Sequence, residues 1–261
     1  MNLSLINKNA LIGGGSKGIG FASAVELALL GANVTLMARS LNDLERALDL
    51  LDTSNGQQHD YLCVDYSEPD TLKSTIEAYC LAKNIHILVN NTGGPAAGAA
   101  HLATVVDYLS AFNNHLICNQ ILAQAVIKGM KEDGYGRIIN IISTSVKQPL
   151  DNLGVSNTIR GAVASWAKTL SNELGQFAIT VNNVLPGATA TERLSAIIAA
   201  DAKKNNCTID ESAARMQSAV PMRRFAEPQE VGAAVAFLAS PAAAYINGVN
   251  LPVDGGRTKS L

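Results

Sequence analysis

The segment ALIGGGSKGIGFASA, residues 10–24, decides how the rest of the sequence is interpreted. Its apolar start at residues 10–13 predicts a buried strand, and residues 18–30 predict a helix. The glycines between them permit positive φ and let backbone N–H groups approach an anion. The partial positive charge of the helix N-terminus lies at the same point. This order of strand, glycine-rich turn and helix predicts a site for a dinucleotide pyrophosphate. A turn whose glycines serve only tight packing is the alternative.

Three consecutive glycines allow two glycine spacings to fit the turn. The pattern G-x-G-x-x-G begins at Gly13, and the pattern G-x-x-x-G-x-G begins at Gly14. Either spacing brings backbone N–H groups to the same phosphate position. The turn residues that we expect to contact the cofactor are Gly14, Ser16, Lys17, Gly18, Ile19 and Gly20.

Short apolar strands alternate with amphipathic helices along the chain. The predicted strands are residues 10–13, 33–38, 61–64, 85–89, 137–142, 180–185 and 249–253. The predicted helices are residues 18–30, 42–51, 69–82, 105–130, 156–174, 193–203, 209–218 and 230–239. Several strands are apolar on both faces, as in a sheet that is covered on each side. The pattern predicts an α/β fold with a doubly wound parallel sheet of the Rossmann type, in three α/β/α layers. A single domain over residues 1–261 is expected.

The composition excludes several classes of protein. The 261 residues carry 20 Lys and Arg against 22 Asp and Glu, a net charge of −2, and 48% of them are apolar. A disordered chain needs lower hydrophobicity and higher net charge, and a nucleic-acid-binding protein needs a basic excess. No apolar run reaches the roughly 18–20 residues that cross a bilayer, and the N-terminus has no signal-peptide pattern. Four scattered cysteines indicate reduced thiols, so we expect a cytoplasmic protein without a metal site.

The residues after the second predicted strand indicate which dinucleotide binds. An NAD site usually has Asp or Glu there to hold the ribose 2′-hydroxyl. Here strand 33–38 is followed by Arg39 and Ser40, and Lys17 in the glycine turn adds a second positive charge. Two cations beside the adenosine ribose favour a 2′-phosphate, so NADP(H) is predicted over NAD(H). A solvated surface arginine is the alternative for Arg39.

Further motifs along the chain resemble the short-chain dehydrogenase/reductase family, in particular the 3-oxoacyl-acyl-carrier-protein reductases. These are NNTG at residues 90–93, RIINIIS at 137–143, VNNVLPG at 181–187 and GVNLPVDGG at 248–256. The resemblance runs nearly end to end and implies an NADP(H)-dependent oxidoreductase. It implies further cofactor contacts at Ser40, Asp65, Tyr66, Asn91, Thr92, Gly93, Arg160, Pro186, Gly187, Thr189 and Thr191. Thr191 is also a candidate N-cap of the next helix.

The catalytic pattern of the family is broken in this chain. The family uses a serine and, about thirteen residues later, a Tyr-x-x-x-Lys motif, in which tyrosine moves the proton and lysine lowers its pKa and holds the nicotinamide ribose. Ser143 is in place, but the motif positions are occupied by Ser156 and Arg160. A serine hydroxyl ionises well above the tyrosine pKa of about 10. Arginine can hold a ribose hydroxyl, yet it stays charged and does not hand on protons.

His115 is the candidate replacement for the missing proton carrier. The resemblance places it on the long helix where the family has an asparagine. A histidine with a pKa of roughly 6.5 suits proton exchange near neutrality. The alternative is a histidine that makes only a structural hydrogen bond. The expected catalytic residues are therefore Ser143, Ser156, Arg160 and His115.

These observations predict hydride transfer between the nicotinamide and a carbonyl or alcohol carbon of a small substrate. Two alternatives stay open: an NADP(H)-binding sensor or partner subunit without turnover, and a cofactor-dependent elimination or isomerisation. No basic cluster is apparent in the segment that follows Pro186, which forms a substrate lid in the family. The resemblance implies a homodimer or homotetramer. Helices 105–130 and 156–174 would meet there, with the small residues Ala162, Ala164 and Ala167 allowing close approach.

Overall fold

Seven parallel strands form one sheet in the order β3-β2-β1-β4-β5-β6-β7. The structure is a computed structural model and describes residues 1–260. The strands are β1 (Asn9–Gly13), β2 (Asn33–Ala38), β3 (Asp60–Cys63), β4 (Ile87–Asn90), β5 (Gly136–Ile141), β6 (Ile179–Pro186) and β7 (Asn250–Val253). The strand order reverses direction between β1 and β4. In open parallel sheets this reversal leaves a crevice at the carboxyl ends of the strands, where ligands bind.

Helices cover both faces of the sheet. They are α1 (Gly18–Leu29), α2 (Leu41–Leu48), α3 (Pro69–Ala82), α4 (Val105–Phe112), α5 (Cys118–Glu132), α6 (Gly154–Leu174), α7 (Glu192–Lys204), α8 (Ile209–Ser218) and α9 (Pro228–Ala239). The core on one face includes residues of α1, α2 and α9, and the core on the other includes residues of α3, α5 and α6. Within residues 1–260, no helix combines the length and apolarity needed to cross a bilayer.

The two cores explain why the strands are apolar on both faces. In β1, Ala10 and Ile12 belong to one core, whereas Leu11 between them belongs to the other. Successive side chains of a strand point to opposite faces, so a strand covered on both sides needs apolar residues at every position. The predicted three-layer, doubly wound Rossmann-type fold is confirmed.

Three sequence-based boundaries need correction. The helix predicted over 105–130 is wrong as one regular element, because a π-helical turn at Asn113–Ile117 separates α4 from α5. Apolar periodicity does not reveal a single inserted residue of this kind, and π turns are frequent at functional sites. The strand predicted at 85–89 begins later, at Ile87, and the helix predicted at 42–51 ends at Leu48.

The small residues of α6 do not face outward as expected. Ala164 is 8% exposed and Ala167 is 1% exposed, and both pack into cores within this chain. Only Ala162 is partly exposed. Their small size lets α6 lie close to its own sheet, so the expectation that they serve contacts between subunits is wrong for Ala164 and Ala167.

A ladder of asparagine side chains joins the last four strands. Asn90, Asn140, Asn183 and Asn250 occupy paired positions on β4, β5, β6 and β7. Each amide nitrogen donates to the carbonyl oxygen of the next side chain, at 2.8, 2.9 and 2.8 Å. The ladder is buried at Asn90, Asn140 and Asn183. Because a buried amide without a partner is costly, these bonds favour one register across the four strands.

We expect Asn140→Ala to lower the free energy of unfolding by about 2–6 kcal/mol, because it leaves one donor of Asn90 and one acceptor of Asn183 buried without partners. The matched variant Asn250→Ala removes only the last bond of the ladder and leaves one buried donor, that of Asn183, without a partner, so it is expected to cost about 1–3 kcal/mol. Urea unfolding of both variants measures the difference. Equal losses of free energy of unfolding in the two variants would contradict the idea that Asn140 links two bonds of the ladder.

Candidate active site

The glycine turn after β1 is held against the end of β4. Gly14 and Gly18 both have φ of +56°, a conformation that glycine adopts without strain. A Cβ on Gly20 would collide with the carbonyl group of Gly14. The amide nitrogen of Asn91 donates to the carbonyl oxygen of Gly13 at 3.0 Å. The predicted turn residues therefore lie together at the carboxyl edge of the sheet, beside Asn91 as expected.

The N-terminus of α1 faces this turn without an internal cap. Lys17 occupies the N-cap position with extended backbone, its side chain makes no capping hydrogen bond, and the first turn contains no acidic residue. Free N–H groups and the helix dipole there suit a phosphate. Thr191 lies close to Gly18, with its methyl carbon 3.4 Å from the position of a Cβ on that glycine. The residues present therefore fit the pyrophosphate of a dinucleotide.

An acidic residue lies among the cations predicted to hold the 2′-phosphate. The ammonium nitrogen of Lys17 is 3.1 Å from a carboxylate oxygen of Asp43, which also pairs with Arg46. The hydrogen bond from Lys17 is the main cause that lowers the pKa of Asp43. Arg39 is exposed, and the Ser40 hydroxyl caps α2 by accepting from the Asp43 N–H at 3.3 Å. Ser40 and Asp43 are three residues apart, a spacing that is typical of a helix N-terminus. This spacing could have revealed the carboxylate from the sequence.

Asp65 and Tyr66, which follow β3, have different surroundings. The carboxylate of Asp65 accepts from the Ser67 N–H at 2.9 Å, and that bond is the largest cause that lowers its pKa. Tyr66 is buried, its hydroxyl has no hydrogen-bond partner, and burial raises its pKa. A Cβ on Gly13 would collide with this hydroxyl. Tyr66 therefore lies under the glycine turn and restricts residue 13 to glycine.

The remaining predicted cofactor residues line the carboxyl ends of β4 and β6. Thr92 is partly exposed, and a Cβ on Gly93 would meet open space. At the end of β6, which includes Pro186, the Gly187 N–H donates to Val253 on β7 at 2.9 Å. Thr189 is buried and its hydroxyl donates to the Gly187 carbonyl at 3.2 Å. The predicted N-cap role of Thr191 is confirmed, since its hydroxyl accepts from the Leu194 N–H.

Ser143, Ser156 and Arg160 lie near the end of β5. The Ser143 hydroxyl accepts from the Ser145 N–H at 3.1 Å, at the start of a short 3-10 turn. Ser156 is buried in the first turn of α6. Arg160 follows one turn later, and its guanidinium donates to the carbonyl oxygen of Ile141 at 3.0 Å. The structure thus brings the three predicted residues to one edge of the sheet.

His115 does not have the pKa expected of a proton carrier. It lies in the π-helical turn and is 2% exposed. Burial, and then the positive charges of Arg160 and Arg193, lower its pKa to about 2. The expectation of a pKa near neutrality is therefore wrong. The imidazole is neutral at physiological pH, so it can donate or accept a hydrogen bond but carries no exchangeable positive charge.

Arg193 is a site residue that the sequence did not single out. One guanidinium nitrogen donates to the Gly94 carbonyl oxygen at 2.8 Å and another to that of Pro95 at 3.1 Å. These bonds tie the first turn of α7 to the loop that follows β4. The segment after Pro186 contributes one residue, Arg193, to a basic cluster whose other members come from elsewhere in the chain, since Arg193 acts electrostatically on both His115 and Arg160. Their wide separation in sequence concealed the cluster.

Known proteins of similar sequence share this architecture. Residues 14–258 match the family described as enoyl-(acyl carrier protein) reductase. The chain is 32% identical over 258 residues to the 3-oxoacyl-[acyl-carrier-protein] reductase FabG of Pseudomonas aeruginosa, covering 97% of this chain and 98% of that protein. The chain belongs to the short-chain dehydrogenase/reductase family. As a short-chain dehydrogenase/reductase it is an oxidoreductase, the enzyme class that the motifs predict.

Two other members of the family match over nearly their whole length. The NADPH-dependent reductase BacG of Bacillus subtilis is 30% identical over 258 residues, which are 97% of this chain and 99% of that protein. The L-sorbose reductase of Gluconobacter frateurii, solved in complex with NADPH and L-sorbose, is 29% identical and has a TM-score of 0.93 over 100% of both chains. The whole chain therefore follows the fold of complete reductases.

The low pKa of His115 makes a prediction about stability. Its pKa in the folded protein is about 2, below the unfolded value of about 6.5. The unfolded chain therefore binds the extra proton first, and stability falls as the pH drops below 6.5. Between pH 7 and pH 5, the free energy of unfolding of the original protein should fall by up to about 2 kcal/mol more than that of His115→Asn.

Urea unfolding at pH 7, 6 and 5 measures this effect. The exposed His101 supplies the control, and His101→Asn should leave the pH dependence unchanged. A His115→Asn variant with the pH dependence of the original protein would show that the imidazole titrates normally.

Proposed function

We propose that this chain, acting as one domain over residues 1–261, transfers hydride between NADP(H) and a carbonyl or alcohol carbon of a small molecule. The observation that carries the proposal is the uncapped N-terminus of α1 at the glycine turn, which opens onto the same sheet edge as Ser143 and Arg160. The names of BacG and the L-sorbose reductase complex, which both include NADPH, support the choice of cofactor. When bound, NADPH supplies the hydride.

The residues of this chain would stabilise the reacting oxygen by charge and hydrogen bonds. Ser143 and Ser156 offer two hydroxyl donors to a carbonyl oxygen. Burial and Arg193 lower the pKa of Arg160 to about 10, so the guanidinium stays positive at neutral pH. A fixed positive charge stabilises the negative charge that grows on the oxygen as hydride arrives. The proton then comes from water, because neither serine nor the neutral His115 is an adequate acid.

Arg160→Met tests this role of charge. We expect kcat for NADPH oxidation with a responsive carbonyl compound to fall about 10²–10³-fold, as for loss of an oxyanion donor. The exposed Lys203 of α7 gives a charge-matched control, since Lys203→Met should retain the original rate. If the original protein binds NADPH but oxidises it with none of a broad panel of carbonyl compounds, the protein is a cofactor sensor and the proposed activity is wrong.

A second prediction concerns the choice between cofactors. We expect Arg39→Asp to raise the Kd of NADP at least tenfold and to change that of NAD little, because only NADP carries the 2′-phosphate. Asp43→Asn should instead lower the Kd of NADP, because it releases Lys17 from its ion pair. Isothermal calorimetry with both dinucleotides measures these changes. Equal effects on NAD and NADP would contradict the preference.

We also propose a cytoplasmic homodimer or homotetramer. Exposed apolar side chains on and before α4 support association between copies. Val105, Val106 and Leu109 are 74%, 72% and 57% exposed, and Leu102 is 75% exposed. Such a patch is unusual on a surface that stays in water. It belongs to the beginning of the predicted helix 105–130, the element from which association was expected.

A further inference from the structure

Three basic side chains from distant parts of the chain interact electrostatically near the end of β5. The basic cluster consists of His115 on the π-helical turn, Arg160 on α6 and Arg193 on α7. Arg160 is anchored on the Ile141 carbonyl at the carboxyl end of β5. Arg193 is anchored on the loop that leaves the neighbouring strand β4. The two guanidinium groups are close enough to each other and to the buried imidazole to interact electrostatically.

The positive charge of the basic cluster has no carboxylate counterpart. Arg160 is 8% exposed, yet among the ion pairs of residues 1–260 none includes Arg160 or Arg193. Burial lowers the pKa of both arginines, and Arg193 lowers that of Arg160 further. An unpaired buried cation is costly. A bound anion would remove this cost, so the crevice favours a negatively charged ligand.

Both arginines keep donors for such a ligand. A guanidinium has five N–H donors. The hydrogen bonds described above use one nitrogen of Arg160, toward Ile141, and two of Arg193, toward Gly94 and Pro95. The planar fork of arginine matches a carboxylate in a bidentate arrangement. A carboxylate between the two guanidinium groups would thus be bound by charge-assisted hydrogen bonds.

The phosphates of the cofactor have a different place. The pyrophosphate is expected at the N-terminus of α1, and the 2′-phosphate beside Lys17 and Arg39. In the basic cluster, Arg160 instead lies one helical turn after Ser156 and is anchored on Ile141, two residues before Ser143, where the proposed reaction occurs. We propose that the basic cluster binds a carboxylate of the substrate, so that the enzyme acts on oxo acids or the corresponding hydroxy acids. This inference rests on the proposed function and names its substrate class.

A comparison of acids with their methyl esters tests the proposal. Benzoylformate, 2-oxobutanoate and 4-oxopentanoate, each with its neutral methyl ester, are titrated into NADPH-saturated protein by calorimetry and assayed for NADPH oxidation. We expect at least one acid to bind about 10–100-fold more tightly than its ester, the range of charge-assisted hydrogen bonds. Arg193→Met should remove this preference, and Arg193→Lys should restore part of it. Lys203→Met on the same helix controls for net charge.

The measurements separate the possible outcomes. If every acid binds no better than its ester, the proposed substrate class is wrong, even when NADPH is bound and oxidised. If Arg193→Met weakens NADPH itself as much as it weakens the acid, the anion is the cofactor and the proposal is overturned. If acids bind selectively but no NADPH is consumed, the carboxylate site stands and the proposed hydride transfer fails. Thermal unfolding of each variant checks that Arg193→Met remains folded.

Discussion

The register of β4 to β7 is the constraint on which the site depends. The amide ladder of Asn90, Asn140, Asn183 and Asn250 crosses these strands in register. A slip of β5 by one residue would break both ladder bonds of Asn140 and bury their donors and acceptors without partners. The loops with candidate site residues on this half of the sheet follow β4, β5 and β6, so the register that the ladder favours sets the positions of these loops relative to one another.

Charge distinguishes this crevice from its surroundings. The chain as a whole carries −2, but His115, Arg160 and Arg193 gather at one point without an acidic partner. Burial then has two consequences. It makes the imidazole neutral, and it strengthens the field of the Arg160 guanidinium because little water screens that group. In the proposed mechanism, fixed charges that stabilise an anion take the place of a side chain that moves a proton.

Elements with a strong local signal were predicted well from the sequence. The glycine turn, the strand 33–38 and the helices 69–82 and 209–218 have the expected bounds or nearly so, because periodicity, caps and turn glycines act over a few residues. The π-helical turn at Asn113–Ile117 and the inward orientation of Ala164 and Ala167 were not foreseen. One extra residue in a helix, or the face that a helix buries, depends on the elements packed against it.

By itself, the sequence determined the fold class, the dinucleotide turn and the replacement of the tyrosine and lysine of the family motif. Each of these depends on residues that are close together in the chain. Only the tertiary structure decided the charge of His115, the pairing of Lys17 with Asp43 and the entry of Arg193 into the site. These properties depend on burial and on distances between residues that are far apart in the chain. Electrostatic energy varies with separation in space and with access of water, and neither quantity can be read from neighbouring positions in a sequence.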